Sequence, residues 1–482
     1  MSKILAPARP IEYSFDFTTP DTMGRERRSR RVGGDNEPTF ATGFYVDDRM
    51  IGNSFGRVIE PLYADWIDVA LAAYYIDRKS PRRDPKSPDR AYQWGRRMLL
   101  KIPVRLPEVW QRLEVGETLR RALGFFTDDD WKVEFVARRG QGRLDETQHF
   151  LFPTPVEGPV RVALLSGGLD SFAGACRIVA DMPDHSFVFV SGATNSRQKF
   201  AQREQVKALR RLSRRELCHI TVPFGVSGRG HSRGQGEEAS QRTRGFLFLT
   251  LGAITALAAG TSELYVHENG VGAINLPYNA TQLGTSNSRG VHPLSLLRIG
   301  ELAEALTGGS FTFENPFLYQ TKGQMCRHPA VRRLAAYIPM TFSCDGFPVQ
   351  AKRKPQCGSC TSCHLRRMSL EAAGLSAYDP SEQYICDLTD PAAKASEKQL
   401  QALSAMEWQF RKISQRLKAP DPWQSMITEF PELQNIASEL GTRSNEGEQA
   451  VRRLLLRLYG RYVAEWDKFS ARERLGARAR AA

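Results

Sequence analysis

Between residues 160 and 267, apolar segments of strand length alternate with segments of helical spacing. The short apolar runs lie at residues 160–165, 186–190, 218–224 and 264–267. Such runs are typical of strands that are buried on both faces of a parallel sheet. The helical segments that separate them lie at residues 172–180, 202–212 and 245–259. This order predicts βαβ units with right-handed crossovers, and therefore a doubly wound parallel α/β sheet.

The segments on either side of this region have other patterns. Residues 11–17 and 131–136 alternate apolar and polar positions, and residues 62–75 have helical spacing. Pro and Gly cluster at residues 153–159, which indicates a boundary, and helical spacing dominates from about residue 371 onward. We therefore expect three regions: an α+β accessory domain at 1–155, the parallel α/β domain at 156–375 and a helical region at 376–482.

The composition is that of a globular chain without a membrane span. The chain has 482 residues, of which 41% are hydrophobic and 25% charged. Its longest apolar run, residues 246–259, is shorter than the roughly 18–20 residues that cross a bilayer. No secretory signal is recognisable at the start, so we expect a cytoplasmic protein. Structural disulfides are rare in that compartment, so the eight cysteines favour metal binding or catalysis.

The net charge of +14 admits a nucleic-acid partner but does not favour one. The positive charge is concentrated in blocks, at residues 25–31, 78–90, 210–215 and in the C-terminal tail. None of these blocks interleaves basic with aromatic residues, as a platform for stacking single-stranded bases does. We therefore expect a basic, solvated surface.

The strongest local motif is Ser166-Gly167-Gly168-Leu169-Asp170-Ser171, between the first strand of the α/β region and the following helix. Two glycines allow a tight turn close to a phosphate, and the helix N-terminus then offers N–H groups to the anion. The Asp170 carboxylate can hold Mg²⁺ between phosphate oxygens. The spacing and lysine of a Walker P-loop are missing. The motif resembles the SGGxDS loop of the PP-loop enzymes, which cleave ATP between its α and β phosphates.

Four cysteines provide the second motif. Cys344 precedes a C-x₂-C-x₂-C run formed by Cys357, Cys360 and Cys363. The run folds three thiolates around one point, and a fourth thiolate closes a tetrahedron. Four thiolates with no open position suit a structural Zn²⁺, whereas an iron–sulfur cluster is the alternative, because ferredoxins also use C-x₂-C-x₂-C. Cys326 precedes the group but falls outside its spacing. The other three cysteines are expected to be small buried residues: Cys176, Cys218 and Cys386.

These motifs together resemble the 7-cyano-7-deazaguanine synthase (QueC) family. Thr341-Phe-Ser-Cys344, followed by Cys357-Gly-Ser-Cys360-Thr-Ser-Cys363-His-Leu-Arg366, is similar to the family's T-x-S-C … C-G-x-C-x-x-C-x-x-R. The segment PFLYQTKGQM at residues 316–325 resembles its P-L … L-T-K-x-E-I, and Arg244-Gly-Phe-Leu-Phe-Leu resembles its A-R-N-x-x-F/L. With SGGLDS, the motifs follow in the family's order along about 210 residues.

The resemblance implies an ATP pyrophosphatase that acts on a deazaguanine-type substrate. In the family, the carboxylate of 7-carboxy-7-deazaguanine attacks the α-phosphate, and ammonia then displaces AMP; a second adenylation gives the nitrile. By this resemblance, Asp170, Lys322 and Arg244 are catalytic. Glu268 is expected to be catalytic because of its position directly after the fourth strand, where its carboxylate could take a proton from an incoming amine. The ATP site comprises Leu165, Ser166, Gly167, Gly168, Leu169, Asp170, Ser171 and Ser191. The cofactors are ATP, Mg²⁺ and Zn²⁺, with Zn²⁺ on Cys344, Cys357, Cys360 and Cys363.

The chain departs from the family after its fourth strand. QueC enzymes carry a D-Y-S-G-Y-P-D-C-R loop there, whereas this chain has His267-Glu-Asn-Gly270 and, later, residues 286–293 (SNSRGVHP). We expect this different loop to contact the substrate through Glu268, Asn269, Arg289 and His292. The enlarged chain resembles the QueC-like proteins of anti-phage defence loci, those of the Qat system and type IV CBASS. That resemblance implies transfer of the activated deazaguanine to an amine of a partner protein from the same locus.

The sequence alone does not exclude two other functions. One is a tRNA-modifying PP-loop enzyme, which the charge would suit, and the other is an interaction subunit that only senses ATP. Because SGGLDS, Lys322 and Arg244 are all intact, an active enzyme is favoured over the sensor. The QueC reaction proper, with ammonia as nucleophile, is a further alternative.

Overall fold

A computed structural model of the chain describes residues 10–18, 44–82, 95–139, 146, 158–226, 238, 240–278, 289–346, 354–387, 396–443 and 447–473. Several sequence features lie outside these residues. They are the basic block at 25–31, most of the block at 78–90, the proposed boundary at 155–156, residues 286–288 and the basic tail from 474.

The N-terminal region contains two parallel crossovers. Its elements are β1 (Glu12–Asp16), β2 (Phe44–Val46), α1 (Arg49–Asn53), α2 (Pro61–Lys79), β3 (Arg97–Val104), α3 (Pro107–Trp110), α4 (Leu113–Thr127) and β4 (Asp130–Ala137). β1, β3 and β4 pair in that order, and both pairs are parallel. Helices therefore connect the strands of this sheet, which differs from the α+β arrangement expected from its sequence.

The central region forms the predicted parallel sheet. Its elements are β5 (Val160–Leu164), α5 (Leu169–Asp181), β6 (Ser186–Ala193), α6 (Ser196–Leu209), β7 (Leu217–Val226), α7 (Arg244–Ala258), β8 (Glu263–Tyr265), α8 (Gly270–Ile274), α9 (Pro293–Thr307), β9 (Thr312–Glu314), α10 (Lys322–Cys326), α11 (Pro329–Arg333) and α12 (Thr361–Ala372). The strand order is β2-β7-β6-β5-β8-β9, and β5 to β9 are all parallel. β2 joins this sheet from the N-terminal region and is antiparallel to β7.

Helices cover both faces of the central sheet because successive strand residues point to opposite sides. Along β6, Val188 and Val190 belong to one hydrophobic cluster, while Phe187 and Phe189 belong to another. The first cluster includes α7, α9 and also α2 and α4 of the N-terminal region. The N-terminal region and the central sheet therefore share one continuous core.

The order of strands sets the position of the ligand crevice. β6 and β7 follow β5 on one side of the sheet, and β8 and β9 lie on its other side. In open α/β sheets, ligands bind at the carboxyl ends of the strands where the order reverses. The motif Ser166–Ser171 follows β5 at this point, with β8 as the neighbouring strand.

The C-terminal region is helical, as predicted. It contains α13 (Glu397–Leu417), α14 (Pro422–Glu429), α15 (Glu432–Arg443) and α16 (Gly447–Glu473). These helices share a hydrophobic cluster with α8, α9 and α12, so they pack directly on the central region. In the described part of the chain, no helix combines the length and the apolar character that a membrane span requires.

Candidate active site

The motif after β5 forms a tight loop at the start of α5. Gly167 has a φ of +93°, a conformation that side chains disfavour. The Ser166 hydroxyl accepts a hydrogen bond from the Gly168 N–H at 3.2 Å and donates to the Ser171 hydroxyl at 3.0 Å. Gly168 is the N-cap of α5, and no side chain caps this end of the helix among the described residues. The N–H groups of the first turn are therefore suited to an anion.

Two glutamines and one aromatic residue hold this loop in place through hydrogen bonds to its carbonyl groups. On α6, the Gln202 side chain donates to the Ser166 carbonyl at 3.1 Å, and the Gln205 side chain donates to the Gly167 carbonyl at 2.8 Å. The Phe342 N–H also donates to the Gly167 carbonyl, at 3.3 Å. A Cβ atom on Gly167 would lie 2.8 Å from the Phe342 ring. The loop is thus fixed by tertiary contacts that its own sequence does not indicate.

A cluster of polar side chains lies beside the loop. The Lys322 ammonium nitrogen is 2.7 Å from Asp170 Oδ2. The Asn269 side-chain amide donates to Asp170 Oδ1 at 3.1 Å and to Glu268 Oε1 at 2.8 Å. Asp170, Lys322 and Asn269 are buried, and Glu268 is half-buried. Four of the residues singled out in the sequence, from three separate segments, therefore converge at one place.

Glu268 and Lys322 are the two ionisable neighbours of Asp170, and opposing effects determine the pKa of each. Burial first, and the charge of Asp170 second, raise the pKa of Glu268 to about 8 against the lowering effect of Lys322. Burial lowers the pKa of Lys322, but the carboxylates of Asp170 and Glu268 outweigh it, so the net shift is upward. Lys322 therefore stays charged at neutral pH. Glu268 loses its proton slightly above neutral pH.

Helix caps hold these residues in position. The Asn269 side-chain oxygen accepts from the Gly272 N–H at 2.9 Å and caps α8. Thr321 caps α10, whose first residue is Lys322, in a capping box with Gln324. The Asn315 side chain donates to the Glu268 carbonyl at 2.9 Å. Asn269 and Lys322 thus lie at the starts of two helices, and the hydrogen bonds of the two caps fix their positions.

Three further residues predicted for the ATP site lie behind or beneath the loop. The Ser191 hydroxyl donates to the Leu165 carbonyl at 2.7 Å and lies 2.9 Å from His219 Nε2. Leu165 and Leu169 are fully buried. In this structure the three residues support the loop, and their contact with ATP stays a prediction.

Arg244 lies at the start of α7 and has an exposed side chain. Its guanidinium carbon is 5.5 Å from the centre of the Phe248 ring. The residue before it, Thr243, donates its N–H to Asp77 Oδ2 at 3.0 Å and its hydroxyl to the same oxygen at 2.9 Å. A buried carboxylate of the N-terminal region therefore holds the start of this helix. The catalytic role of Arg244 stays a prediction.

Arg289 and His292 contact residues of the N-terminal and C-terminal regions. Arg289 Nη1 is 2.6 Å from Asp128 Oδ1 and donates to the Phe125 carbonyl at 2.9 Å. His292 Nδ1 accepts from the Leu294 N–H at 3.2 Å, and its Nε2 lies 3.3 Å from Glu432 Oε1. Burial, helped by the charge of Arg289, lowers the pKa of His292 to about 3. Both are anchored to structural partners, so substrate binding by them stays a prediction.

The four predicted cysteines form one cluster. The sulfur atoms of Cys344, Cys357, Cys360 and Cys363 all lie within 4.8 Å of one another. Four thiolates at such spacing fit a tetrahedral metal ion, and the set is compatible with zinc. Ser343 alone separates Cys344 from Phe342, whose N–H binds the Gly167 carbonyl. The cysteine cluster therefore begins two residues after a contact of the loop that follows β5.

Comparison with known proteins gives one relevant match. Over 243 residues the chain is 28% identical to the 7-cyano-7-deazaguanine synthase of Novosphingobium aromaticivorans, which covers 46% of this chain and 94% of that protein. No family model matches the chain. This distant similarity over about half the chain supports the QueC-like resemblance that the motifs indicate. It does not address the Qat-type assignment.

Proposed function

We propose that this protein is an adenylate-forming C–N ligase, which activates a 7-deazaguanine carboxylate with ATP and transfers it to a nitrogen nucleophile. The observation that carries the proposal is the convergence of Asp170, Lys322, Glu268 and Asn269 beside the loop after β5. The similarity to a 7-cyano-7-deazaguanine synthase supports the class of substrate and the use of ATP.

The nucleotide loop would bind the phosphates of ATP. The N–H groups at the start of α5, with the hydroxyls of Ser166 and Ser171, would bind the β and γ phosphates that leave as pyrophosphate. Oxygen ligands of the kind that Mg²⁺ prefers are present in the Asp170 carboxylate. A bound Mg²⁺ would neutralise phosphate charge there. Lys322, and Arg244 from the start of α7, would stabilise the charge that develops on the transferred group.

Two steps then form the product. A carboxylate oxygen of the substrate bonds to the α-phosphorus, and the bond between that phosphorus and pyrophosphate breaks. In the second step the nitrogen nucleophile bonds to the acyl carbon, AMP leaves with the electron pair of the acyl–oxygen bond, and the nitrogen gives up a proton. Glu268, with a pKa of about 8, is deprotonated above that pH and is then a suitable acceptor for this proton.

We further propose that the acceptor is an amine of a partner protein and that the reaction serves anti-phage defence. The match to the synthase covers 46% of the chain, so more than half of the residues lie outside it. Part of that excess packs on the central region, through the N-terminal cluster with α7 and the C-terminal cluster with α8 and α12. We infer that Cys344, Cys357, Cys360 and Cys363 hold one Zn²⁺ that stabilises the region next to the loop.

The decisive experiment is incubation of the purified chain with ATP, Mg²⁺, 7-carboxy-7-deazaguanine and candidate acceptor proteins. We expect pyrophosphate and AMP, and an acceptor whose intact mass increases by the acylated deazaguanine. Formation of ADP and phosphate would contradict the proposal. A free amide or nitrile made from ammonia would instead support the QueC reaction proper, and modified tRNA would support the tRNA enzyme.

A further inference from the structure

The exposed side of α6 carries a stripe of cations next to one aromatic ring. The segment of residues 196–216 contains eight lysine and arginine residues and two glutamates. Its exposed side chains follow one another at intervals of three or four residues, which places them on one side of the helix. We call this surface the α6 face, and it consists of Phe200, Arg203, Lys207, Arg210 and Arg211.

Few carboxylates balance these cations. The acidic residues of the segment are Glu204, whose Oε1 is 2.5 Å from Lys207 Nζ, and the exposed Glu216. β6, β7 and the short helix Ala335–Met340 pack against α6, and none of them contains an aspartate or a glutamate. The fourth neighbour is α5, and its two acidic residues are already paired with cations: Asp170 and Asp181.

Three arginines of the α6 face have no carboxylate partner within the part of the chain that the structure describes: Arg203, Arg210 and Arg211. The Arg210 guanidinium donates to the Leu217 carbonyl at 3.4 Å, and the Arg211 guanidinium carbon is 5.3 Å from the centre of the Tyr337 ring. A guanidinium binds two oxygens of a phosphate at once, which a lysine does not do. The α6 face is therefore suited to an anion that carries phosphates.

The aromatic ring of the α6 face is Phe200, which is 61% exposed. Among the described residues, no other aromatic side chain has so large an exposed fraction. An exposed ring beside cations is the arrangement on which a nucleic-acid base stacks while its phosphate is bound. The basic block at 210–215 contains no aromatic residue, and only the turn of the helix brings Phe200 into line with it.

We propose that the α6 face binds single-stranded nucleic acid without sequence preference. A base would stack on Phe200, and phosphates of the same strand would bind Arg203, Arg210 and Arg211. The helix rises by about 16 Å from Phe200 to Arg211, which a few nucleotides of an extended strand would cover. An acidic peptide fits less well, because a peptide places its apolar side chains in a groove and an exposed helix face is convex.

The α6 face lies on the opposite side of the helix from the nucleotide loop. Gln202 and Gln205 donate to carbonyl groups of that loop. Each is two residues away from a member of the α6 face, Phe200 and Lys207, and two residues correspond to about half a turn. A strand bound there leaves the nucleotide loop accessible. The proposal therefore adds a partner to the chain and does not depend on the ligase reaction.

The test is fluorescence anisotropy of the full chain with labelled single strands of about 12 nucleotides, one RNA and one DNA of the same mixed sequence. We expect dissociation constants of about 10⁻⁶–10⁻⁴ M at physiological salt. The triple variant Arg203→Ala, Arg210→Ala, Arg211→Ala should weaken binding about tenfold or more. It should also lower the salt dependence, the slope of log K against log salt, by about two, because three phosphate contacts are lost.

The aromatic ring gives a second, independent measurement. Phe200→Ala should weaken binding about fivefold or more without changing the salt dependence, because stacking releases no counterions. Phe200→Tyr keeps the ring and should bind as the wild type does. All of these side chains are exposed, so the variants leave the core of the protein intact. Binding of either strand supports the proposal, and the ratio of the two constants identifies the preferred sugar.

The matched control is the triple variant Arg453→Ala, Arg457→Ala, Arg461→Ala. These arginines are also exposed and lie one turn apart on α16, so the control removes the same charge from another helix. It should weaken binding less than about twofold. An equal loss in the two triple variants, or no loss in Phe200→Ala, would overturn the proposal. Displacement of the strand by an equal concentration of an oligoglutamate peptide of the same charge would also overturn it, in favour of an acidic protein segment.

Discussion

The Lys322 ammonium nitrogen lies 2.7 Å from a carboxylate oxygen of Asp170, and both side chains are buried. This pair joins the nucleotide loop after β5 to the start of α10. Each charge compensates the other in a site with little access to water. In the proposed function the pair contributes to stability and to phosphate chemistry at once, and substitution can separate the two roles.

Removing one member of this pair should cost more stability than removing both. Asp170→Asn or Lys322→Met alone leaves a buried charge with a lost partner, with an expected loss of about 3–5 kcal/mol in the free energy of unfolding. The double variant should recover to within about 2 kcal/mol of the wild type, because two matched neutral groups then face each other. All three should fail to release pyrophosphate. Urea unfolding and a pyrophosphate assay measure the two effects; equal losses in all three would contradict the coupling.

Glu268 should make stability decrease as the pH rises. Its pKa is about 8 in the folded chain against an ordinary value of 4.5, so between these values the folded state binds a proton that the unfolded state has released. The contribution of Glu268 to the free energy of unfolding should therefore fall from about pH 5 to pH 8, and the difference in stability between the wild type and Glu268→Gln should change with pH in this sense. The raised pKa of Lys322 adds no slope there, because that lysine is charged in both states.

The same variant tests catalysis. If Glu268 accepts the proton of the incoming nitrogen, transfer in the wild type should accelerate as the pH passes through about 8. Glu268→Gln should abolish this dependence and cripple transfer, while metal content and binding of an ATP analogue stay near normal. A variant with full product formation and the wild-type pH profile would eliminate Glu268 from the reaction.

The cysteine cluster should bind one zinc ion per chain. Replacing Cys344 with Ser should remove the metal and lower the free energy of unfolding by several kcal/mol, because a structural metal contributes directly to folding. Cys386→Ser is the control, since Cys386 is buried and its N–H donates to Cys357 although its sulfur is not in the cluster. Elemental analysis measures the result. Iron with visible absorbance would indicate the iron–sulfur alternative.

Gly167→Ala should disturb the nucleotide loop. The φ of +93° is strained for alanine, and the added Cβ would lie 2.8 Å from the Phe342 ring, so we expect a loss of about 1–3 kcal/mol. Phe342→Ala removes the clash but not the backbone strain, so the double variant should recover only part of the loss. Affinity for an ATP analogue should follow the same order. An unaffected Gly167→Ala would mean that Phe342 does not constrain the loop.

Arg289→Ala and Asp128→Asn together distinguish anchoring from substrate binding. Arg289 Nη1 is 2.6 Å from Asp128 Oδ1, and Asp128 Oδ2 also pairs with Arg242 at 2.8 Å. If Arg289 is purely structural, Arg289→Ala should therefore lower activity no more than Asp128→Asn does. If Arg289 also binds the substrate, Arg289→Ala should raise the KM for the deazaguanine well above the value for Asp128→Asn. Steady-state kinetics with thermal unfolding separate the two outcomes.

Local patterns predicted the elements of the central sheet well. The apolar runs at 186–190 and 218–224 lie within β6 and β7, and the spacing at 245–259 matches α7. Asp170 and Lys322 meet because a parallel sheet brings the ends of its strands to one edge, a rule that sequence order alone can apply. β9, with three residues, is too short to give a period.

The supporting contacts depend on pairing between distant segments, and single-sequence patterns do not reveal it. Gln202 and Gln205 read as polar positions of a surface helix, although both are fully buried against the loop. Phe342 reads as part of a metal motif. Arg289 and His292 have residue types suited to an anionic substrate, and only the fold reveals their partners Asp128 and Glu432.

Because β2 pairs with β7, folding of the central sheet depends on a strand from the N-terminal region. β2 forms the outer edge of the central sheet, yet it precedes β7, its partner, by about 170 residues. During synthesis β2 cannot pair until β7 has been made. Closing such a long loop slows folding. A truncated protein that starts at residue 156 would have β7 as an unprotected edge and would lose the α2 side of its core, so we expect it to aggregate.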